Sequence, residues 1–176
     1  MRHKSLGFVL IACLTIVATE EASAWDGLRK GFVLGIGGGL GRISFSNQSQ
    51  MAVMSDFKLG YAPNSKLAIF WTSKVAWFKT DFGFRRESTL AISTIGAVAV
   101  AYYLKPEGDP APYLTVGYGF SSFATPTEEG SQAVTGDGIA IGAGYEFSKH
   151  WSVEGNLTMG AFDATAFRIT LNVLGY

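Results

Sequence analysis

Gly138–Ala161, GIAIGAGYEFSKHWSVEGNLTMGA, is the stretch whose reading decides the rest of the chain. Ile139, Ile141, Ala143, Tyr145 and Phe147 alternate with Gly138, Ala140, Gly142, Gly144 and Glu146. After a polar turn at Ser148–His150 the alternation resumes, with Trp151, Val153, Leu157 and Met159 on one face and Gly155 among them. Ser152, Glu154, Asn156 and Thr158 take the other. Period-2 alternation on both sides of a tight turn predicts an antiparallel β-hairpin. One face is greasy with aromatics near the turn, and the other is small, polar or charged. That suits a barrel wall whose outside meets lipid, and is inverted for a soluble sandwich.

The same pattern recurs in both directions from this hairpin. Upstream, strands are expected at about 30–45, 51–62, 66–78, 88–104 and 112–123. Phe32, Leu34, Ile36 and Leu40 oppose Val33, Gly35, Gly37, Gly39 and Gly41, while Val53, Phe57, Leu59 and Tyr61 oppose Asp56 and Lys58. Leu67, Ile69, Trp71, Val75 and Trp77 oppose Thr72 and Lys74. Leu114, Val116, Tyr118 and Phe120 oppose Thr115, Gly117, Gly119 and Ser121. Downstream, 162–166 is read as a turn into a last strand where Phe167, Ile169, Leu171 and Val173 oppose Arg168, Thr170 and Asn172. Ala124–Thr135 is the longest expected loop. Gly35–Gly41, GIGGGLG, is no dinucleotide loop. It lacks the i, i+2, i+5 glycine spacing and no helical pattern follows, so these glycines read as bare backbone facing a crowded interior.

The 176-residue chain fits one domain preceded by a targeting segment. Arg2, His3 and Lys4 form a basic start, Leu6–Ala18 an apolar core and Ala22-Ser23-Ala24 a cleavage site, so residues 1–24 read as a secretory signal peptide cut after Ala24. Residues 25–176 are then the barrel domain. The single cysteine, Cys13, matches a lipobox only superficially, since the apolar run continues through Leu14, Ile16 and Val17. Without it the mature chain has no disulfide, thiol nucleophile or Cys-ligated metal. Arg2 and Lys4 depart with Glu20 and Glu21, so the mature chain stays balanced in charge and lacks the basic footprint of a nucleic-acid binder. Mean hydropathy is +0.22, yet no run after the signal approaches the roughly 20 apolar residues of a helical span.

Eight evenly spaced strands predict an all-β fold, an eight-stranded antiparallel up-and-down transmembrane β-barrel. With the mature amino terminus in the periplasm, the turns near Pro63, Gly108 and Lys149 are periplasmic, and the loops near Gln48, Phe82, Glu129 and Ala164 face outward. Two aromatic belts are expected at the membrane interfaces. Tyr61, Tyr102, Tyr113, Tyr145, Phe147 and Trp151 form one; Phe45, Trp77, Phe120, Phe123, Phe162 and Phe167 form the other. The rival is a soluble lipocalin-type barrel, which would hide its apolar face inside.

The pattern over Lys30–Tyr176 resembles the small eight-stranded outer-membrane barrels of Gram-negative bacteria, of the outer-membrane protein A and X type. Its most family-like pieces are YLTVGYGF at 113–120, GAGYEFS at 142–148 and the aromatic-terminated last strand. The resemblance implies the outer membrane as location, lipid and lipopolysaccharide as surroundings, and handling by the barrel-insertion machinery. In that family a terminal aromatic belongs to the assembly signal, whereas Tyr176 has the opposite parity from Phe167, Ile169, Leu171 and Val173. No peptidoglycan-binding domain is expected after strand 8, and a monomer is expected.

Chemistry has one foothold. His150-Trp151-Ser152-Val153-Glu154 puts His, Ser and Glu on one strand face. Outer-membrane lipid A deacylases use a similar His-x-Ser pair, but theirs continues with Asn where this chain has Val153. Parity also puts His150 at the periplasmic end, far from outer-leaflet lipid A, so it reads as a solvated turn residue. No catalytic, cofactor-binding or metal-ligating set is therefore assigned. The expected role is non-enzymatic, in envelope integrity or surface interaction, with a small-solute or hydrophobic-molecule channel as the alternative. Alternation points Asp56, Lys58, Lys74, Glu146, Glu154 and Arg168 into the lumen. A paired network there would close it, with Glu146, Glu154 and Arg168 bridging neighbouring strands.

Overall fold

The computed structural model describes residues 29–46, 48–80, 89–106, 110–126 and 132–176, so the signal peptide and its cleavage after Ala24 lie outside the described residues. Within them the chain is a closed antiparallel barrel in sequence order. Its strands are β1 (Gly31–Phe45), β2 (Gln48–Asn64), β3 (Leu67–Thr80), β4 (Thr89–Tyr103), β5 (Ala111–Ala124), β6 (Val134–Ser148), β7 (Trp151–Met159) and β8 (Thr165–Gly175). β1 closes on β8 from Leu34↔Gly175 to Ser44↔Thr165. A spanning strand needs about 9–11 tilted residues, which the nine-residue β7 just meets while β2, at 17, projects beyond.

Alternation fixes the two faces. Ile36 and Leu40 are 63% and 61% exposed, while Lys58 and Glu154 are 2% and 0% exposed. Greasy residues lie outside and charges inside, so the soluble-barrel rival is overturned: its apolar face would be the hidden one. One polar group on the outer wall is also satisfied within it. The Trp77 indole Nε1 donates to Ser55 Oγ at 3.1 Å across the outer face, so that this N–H is not left bare toward lipid.

The two ends differ in their connections. At the end holding the β2–β3, β4–β5 and β6–β7 turns, hereafter the turn end, Asn64 Oδ1 accepts from the backbone N–H of Lys66 (2.9 Å) and Leu67 (3.0 Å). This side-chain turn reverses the chain. Register shifts at Tyr61/Asn64 and Glu146/Ser148 bend β2 and β6 nearby. At the opposite, loop end, β5 and β6 run to Ala124 and from Val134, so the loop between them is shorter than 124–135. β8 begins at Thr165 rather than Phe167, because a single 3-10 turn, Ala161–Asp163, reverses the chain.

The expected belts are partly wrong. Tyr113, Phe45 and Phe123 are 2%, 2% and 5% exposed and sit inside. Each has inward parity on its own strand, next to outward Leu114, Ser44 and Ser122. They cap the barrel's interior instead of lining its lipid boundary. Tyr61, Tyr102, Tyr145, Phe147 and Trp151 do remain exposed at the turn end, as do Trp77, Phe120, Phe162 and Phe167 toward the loop end.

Candidate functional site

The interior is built in layers. At the turn end, Val33, Phe70, Tyr103, Tyr113, Leu174 and Tyr176 pack together. The Tyr103 and Tyr176 hydroxyls hydrogen-bond each other, and Tyr176 also donates to Glu146 Oε2 at 3.2 Å. Arg29, just before β1, pairs through Nε with Glu146 Oε1 at 3.0 Å and lies over the Tyr103 ring, 5.0 Å from its centre. Arg29 also reaches the Pro106 carbonyl at 3.3 Å, tying the chain before β1 to the β4–β5 turn. A cavity of about 10 Å³ remains beside Lys58, Tyr103, Tyr113 and Tyr176, room for about one water.

The middle layer holds four charges. Lys58 Nζ is 2.5 Å from Glu154 Oε2 and 3.4 Å from Asp56 Oδ2. Lys74 Nζ is 2.7 Å from Asp56 Oδ2 and 3.0 Å from Glu154 Oε1. Each lysine therefore touches both carboxylates, and each carboxylate both lysines. Thr72 Oγ1 donates to Asp56 Oδ1 at 2.9 Å, and the Tyr113 hydroxyl to Glu154 Oε2 at 2.9 Å. Buried charges are tolerable only when paired and hydrogen-bonded, and this ring meets both conditions.

Long side chains from β2, β3 and β7 can meet across the lumen because β1 and the middle of β6 offer almost none. A Cβ at Gly37 would collide with Asn172 Oδ1, and one at Gly144 with the Tyr113 ring. The inward glycines of 35–41 thus leave a bare wall, over which side chains of the flanking β2 and β8, such as Lys58, Met54, Asn172 and Leu174, lean.

The loop-end layer is apolar. Ile43, Phe45, Met54, Phe78 and Phe123 fill it with small residues between them. Phe162, held at φ 61°, stacks on Phe123 with ring centres 5.0 Å apart. Ser121 Oγ accepts from the Ala161 N–H at 2.6 Å and donates to the Asp137 carbonyl at 2.8 Å, which pins the turn carrying Phe162.

Asp56, Lys58, Lys74, Glu146, Glu154 and Arg168 are all buried inward, but they do not form one network. The expected Glu146–Glu154–Arg168 bridge is absent. Glu154 is taken by the two lysines, and Glu146 lies at the turn end with Arg29 and Tyr176. Arg168 donates to Thr158 Oγ1 at 3.0 Å and meets no carboxylate among the described residues. Sequence reasoning missed Arg29, Tyr103 and Tyr176. Parity with Ala101 would have found Tyr103; Arg29 lies outside any strand.

The His150, Ser152 and Glu154 side chains do not make a relay. His150 has φ 67°, and its Nδ1 lies 2.7 Å from the Leu174 carbonyl, so it is a half-buried, anchored turn residue rather than a freely solvated one. Ser152 Oγ lies 3.2 Å from the Tyr113 hydroxyl oxygen, and Glu154 is neutralised by two lysines. No group of three or more metal-binding side chains assembles among the described residues.

Comparison with known proteins agrees with this architecture. Among solved structures, neisserial surface protein A superposes with a TM-score of 0.59 at 13% identity, covering 82% of this chain and 96% of that one. Ail, the attachment invasion locus protein of Yersinia pestis, solved in complex with the heparin analogue sucrose octasulfate, superposes at 0.51 with 11% identity, covering 84% and 98%. At such identities these likenesses speak for the fold. No curated protein sequence matches. Residues 87–176, half of the chain, match the model for the outer membrane protein beta-barrel domain. The chain belongs to that family and is a protein of the outer membrane.

Proposed function

We propose that this protein is a non-enzymatic barrel whose lumen is closed to solutes, and that it serves envelope integrity or surface interaction rather than transport. The observation that carries the reading is the Asp56–Lys58–Lys74–Glu154 ring, with every charged atom engaged, between two packed ends. An eight-stranded barrel has an interior just wide enough for its own side chains, so such a ring occupies the cross-section a solute would need. Parting it would strand charges away from bulk water, at several kcal/mol per ion.

In this reading the turn end faces the periplasm and the loop end the outside. The greasy wall is solvated by outer-membrane lipid and lipopolysaccharide, and the barrel reaches the membrane as a monomer through the insertion machinery. The test is conductance of the folded protein in a planar bilayer. Silence, or rare small openings, is expected. A steady large current would replace this reading with a small-solute channel.

A further inference from the structure

The mid-lumen charges among the described residues are Asp56, Lys58, Lys74, Glu154 and Arg168, and all are buried. The first four pair among themselves, so Arg168, which Asp56 and Glu154 attract only from beyond ion-pair distance, has no counter-charge in contact. It is 1% exposed, and its Nε and Nη1 have no hydrogen-bond partner. Its single polar contact is from Nη2 to Thr158 Oγ1 at 3.0 Å, and that hydroxyl donates onward to the Ala166 carbonyl at 3.3 Å.

Asn156 lies directly beside Arg168 on the β7–β8 ladder, 1% exposed, with both amide atoms unpartnered. The adjoining wall carries no long side chain, since Gly142 and Ala140 of β6 stand opposite Asn156 and Thr158, and Asn156 Oδ1 and Thr115 Oγ1 take up the space that a Cβ at Gly142 would fill. This layer sits between the charge ring and the aromatic loop-end packing. On β7, Asn156 is one inward step beyond Glu154; on β8, Arg168 is one inward step from Ala166.

A buried guanidinium with no counter-charge in contact and two N–H groups unpartnered is a costly arrangement in a protein interior. Water could accept its hydrogen bonds but would leave the charge unmatched. What the place lacks is a small acceptor carrying one negative charge. We propose that Arg168 and Asn156 form an internal binding site for a small monovalent anion of halide size, enclosed in the barrel as a structural ligand. The guanidinium Nε–H and Nη1–H and the Asn156 amide N–H are the donors, and the anion completes the charge balance of the lumen. This site goes beyond the closed-lumen reading and does not require the barrel to be silent in a bilayer.

The test is unfolding of the full folded chain in detergent micelles, with chloride or bromide replacing gluconate at constant ionic strength. A ligand bound only to the folded state lowers the unfolding constant about tenfold per tenfold rise in anion once the site is near saturation. The wild type should show that dependence. Arg168→Met, which removes the unmatched charge and keeps much of the volume, should fold and lose it. Asn156→Leu should keep the dependence but shift it to higher halide. Direct contact is read on the wild type alone, by broadening of the chloride-35 resonance on adding folded protein. Equal stability in chloride and gluconate together with no broadening would overturn the proposal. So would a dependence that Arg168→Met retains, which would be a general salt effect.

Discussion

Lys58 Nζ and Glu154 Oε2 meet at 2.5 Å inside the barrel although 96 residues separate them in the chain. The contact joins β2 to β7, strands that share no ladder, so it crosses the interior. Glu154 also holds Lys74, and removing its charge leaves two buried ammonium groups facing Asp56 alone. Glu154→Gln is expected to destabilise the barrel by about 3–5 kcal/mol, the cost of breaking a buried pair from one side. Adding Lys74→Met restores one cation to one anion and should recover much of the loss. A double-mutant cycle in a denaturant titration checks this. Purely additive losses would mean the ring is hydrated rather than paired.

Neighbouring glycines on β1 should respond differently to the same methyl group. A Cβ at Gly39 would collide with the Ile169 carbonyl oxygen and come within 2.8 Å of Thr170 Cα, both backbone and unable to yield. At Gly38, on the outer face, the nearest atom is the Met54 carbonyl oxygen at 4.0 Å. Gly39→Ala is expected to cost about 1–3 kcal/mol as overpacking, and Gly38→Ala close to nothing. Equal effects in a folding titration would contradict the inward and outward assignment of β1.

The lipid face should show a depth profile. Val116 and Leu171 are outward residues near the middle of β5 and β8, where an arginine costs roughly 2–4 kcal/mol. Phe147 is outward at the turn end, where the same change costs roughly 0–1 kcal/mol. Thr158 and Thr170, whose inward parity would suggest them as lumen controls for the same substitution, are unsuitable. Both are buried, and Thr158 is the hydroxyl that Arg168 holds, so a second guanidinium there would be crowded and repelled. Folding into vesicles of Val116→Arg, Leu171→Arg and Phe147→Arg measures the profile. A flat result would argue against a membrane-spanning band at these positions.

Heating offers a simple check on the closed ladder. Each strand is paired on both sides, including β1 with β8, so the fold should resist detergent until boiled. Unboiled protein should therefore migrate differently from boiled protein on a detergent gel. Identical mobility would mean that the barrel opens in detergent at room temperature.

Strand number, face assignment and closure were legible because period-2 alternation survives from Gly31 to Gly175 and inverts the usual burial. The identity of the inward charges followed from the same parity. Their partners did not. Lys58 meets Glu154 through side-chain reach across the interior, a distance no strand pattern encodes. Tyr113, Phe45 and Phe123 were misplaced because an aromatic near a strand end fits both an interface belt and an internal cap. Their own parity, inward on β1 and β5, is the stronger signal. Phe162 takes an uncommon left-handed backbone conformation, supported by its stacking on Phe123, which no local propensity announces.

The pairing of β1 with β8 also decides when this chain is hazardous to itself. Once the ladder from Leu34 to Ser44 has formed, every described strand is paired on both sides along its middle, and only short strand ends such as 48–52 and 134–138 keep a one-sided ladder, so the finished barrel has no full-length edge to template aggregation. Before β8 docks, β1 and β7 each present such an edge, flanked by Leu34, Ile36 and Leu40 on one and Val153 and Leu157 on the other. The aggregation risk is thus confined to the interval before the last strand arrives, and escort is needed only until then.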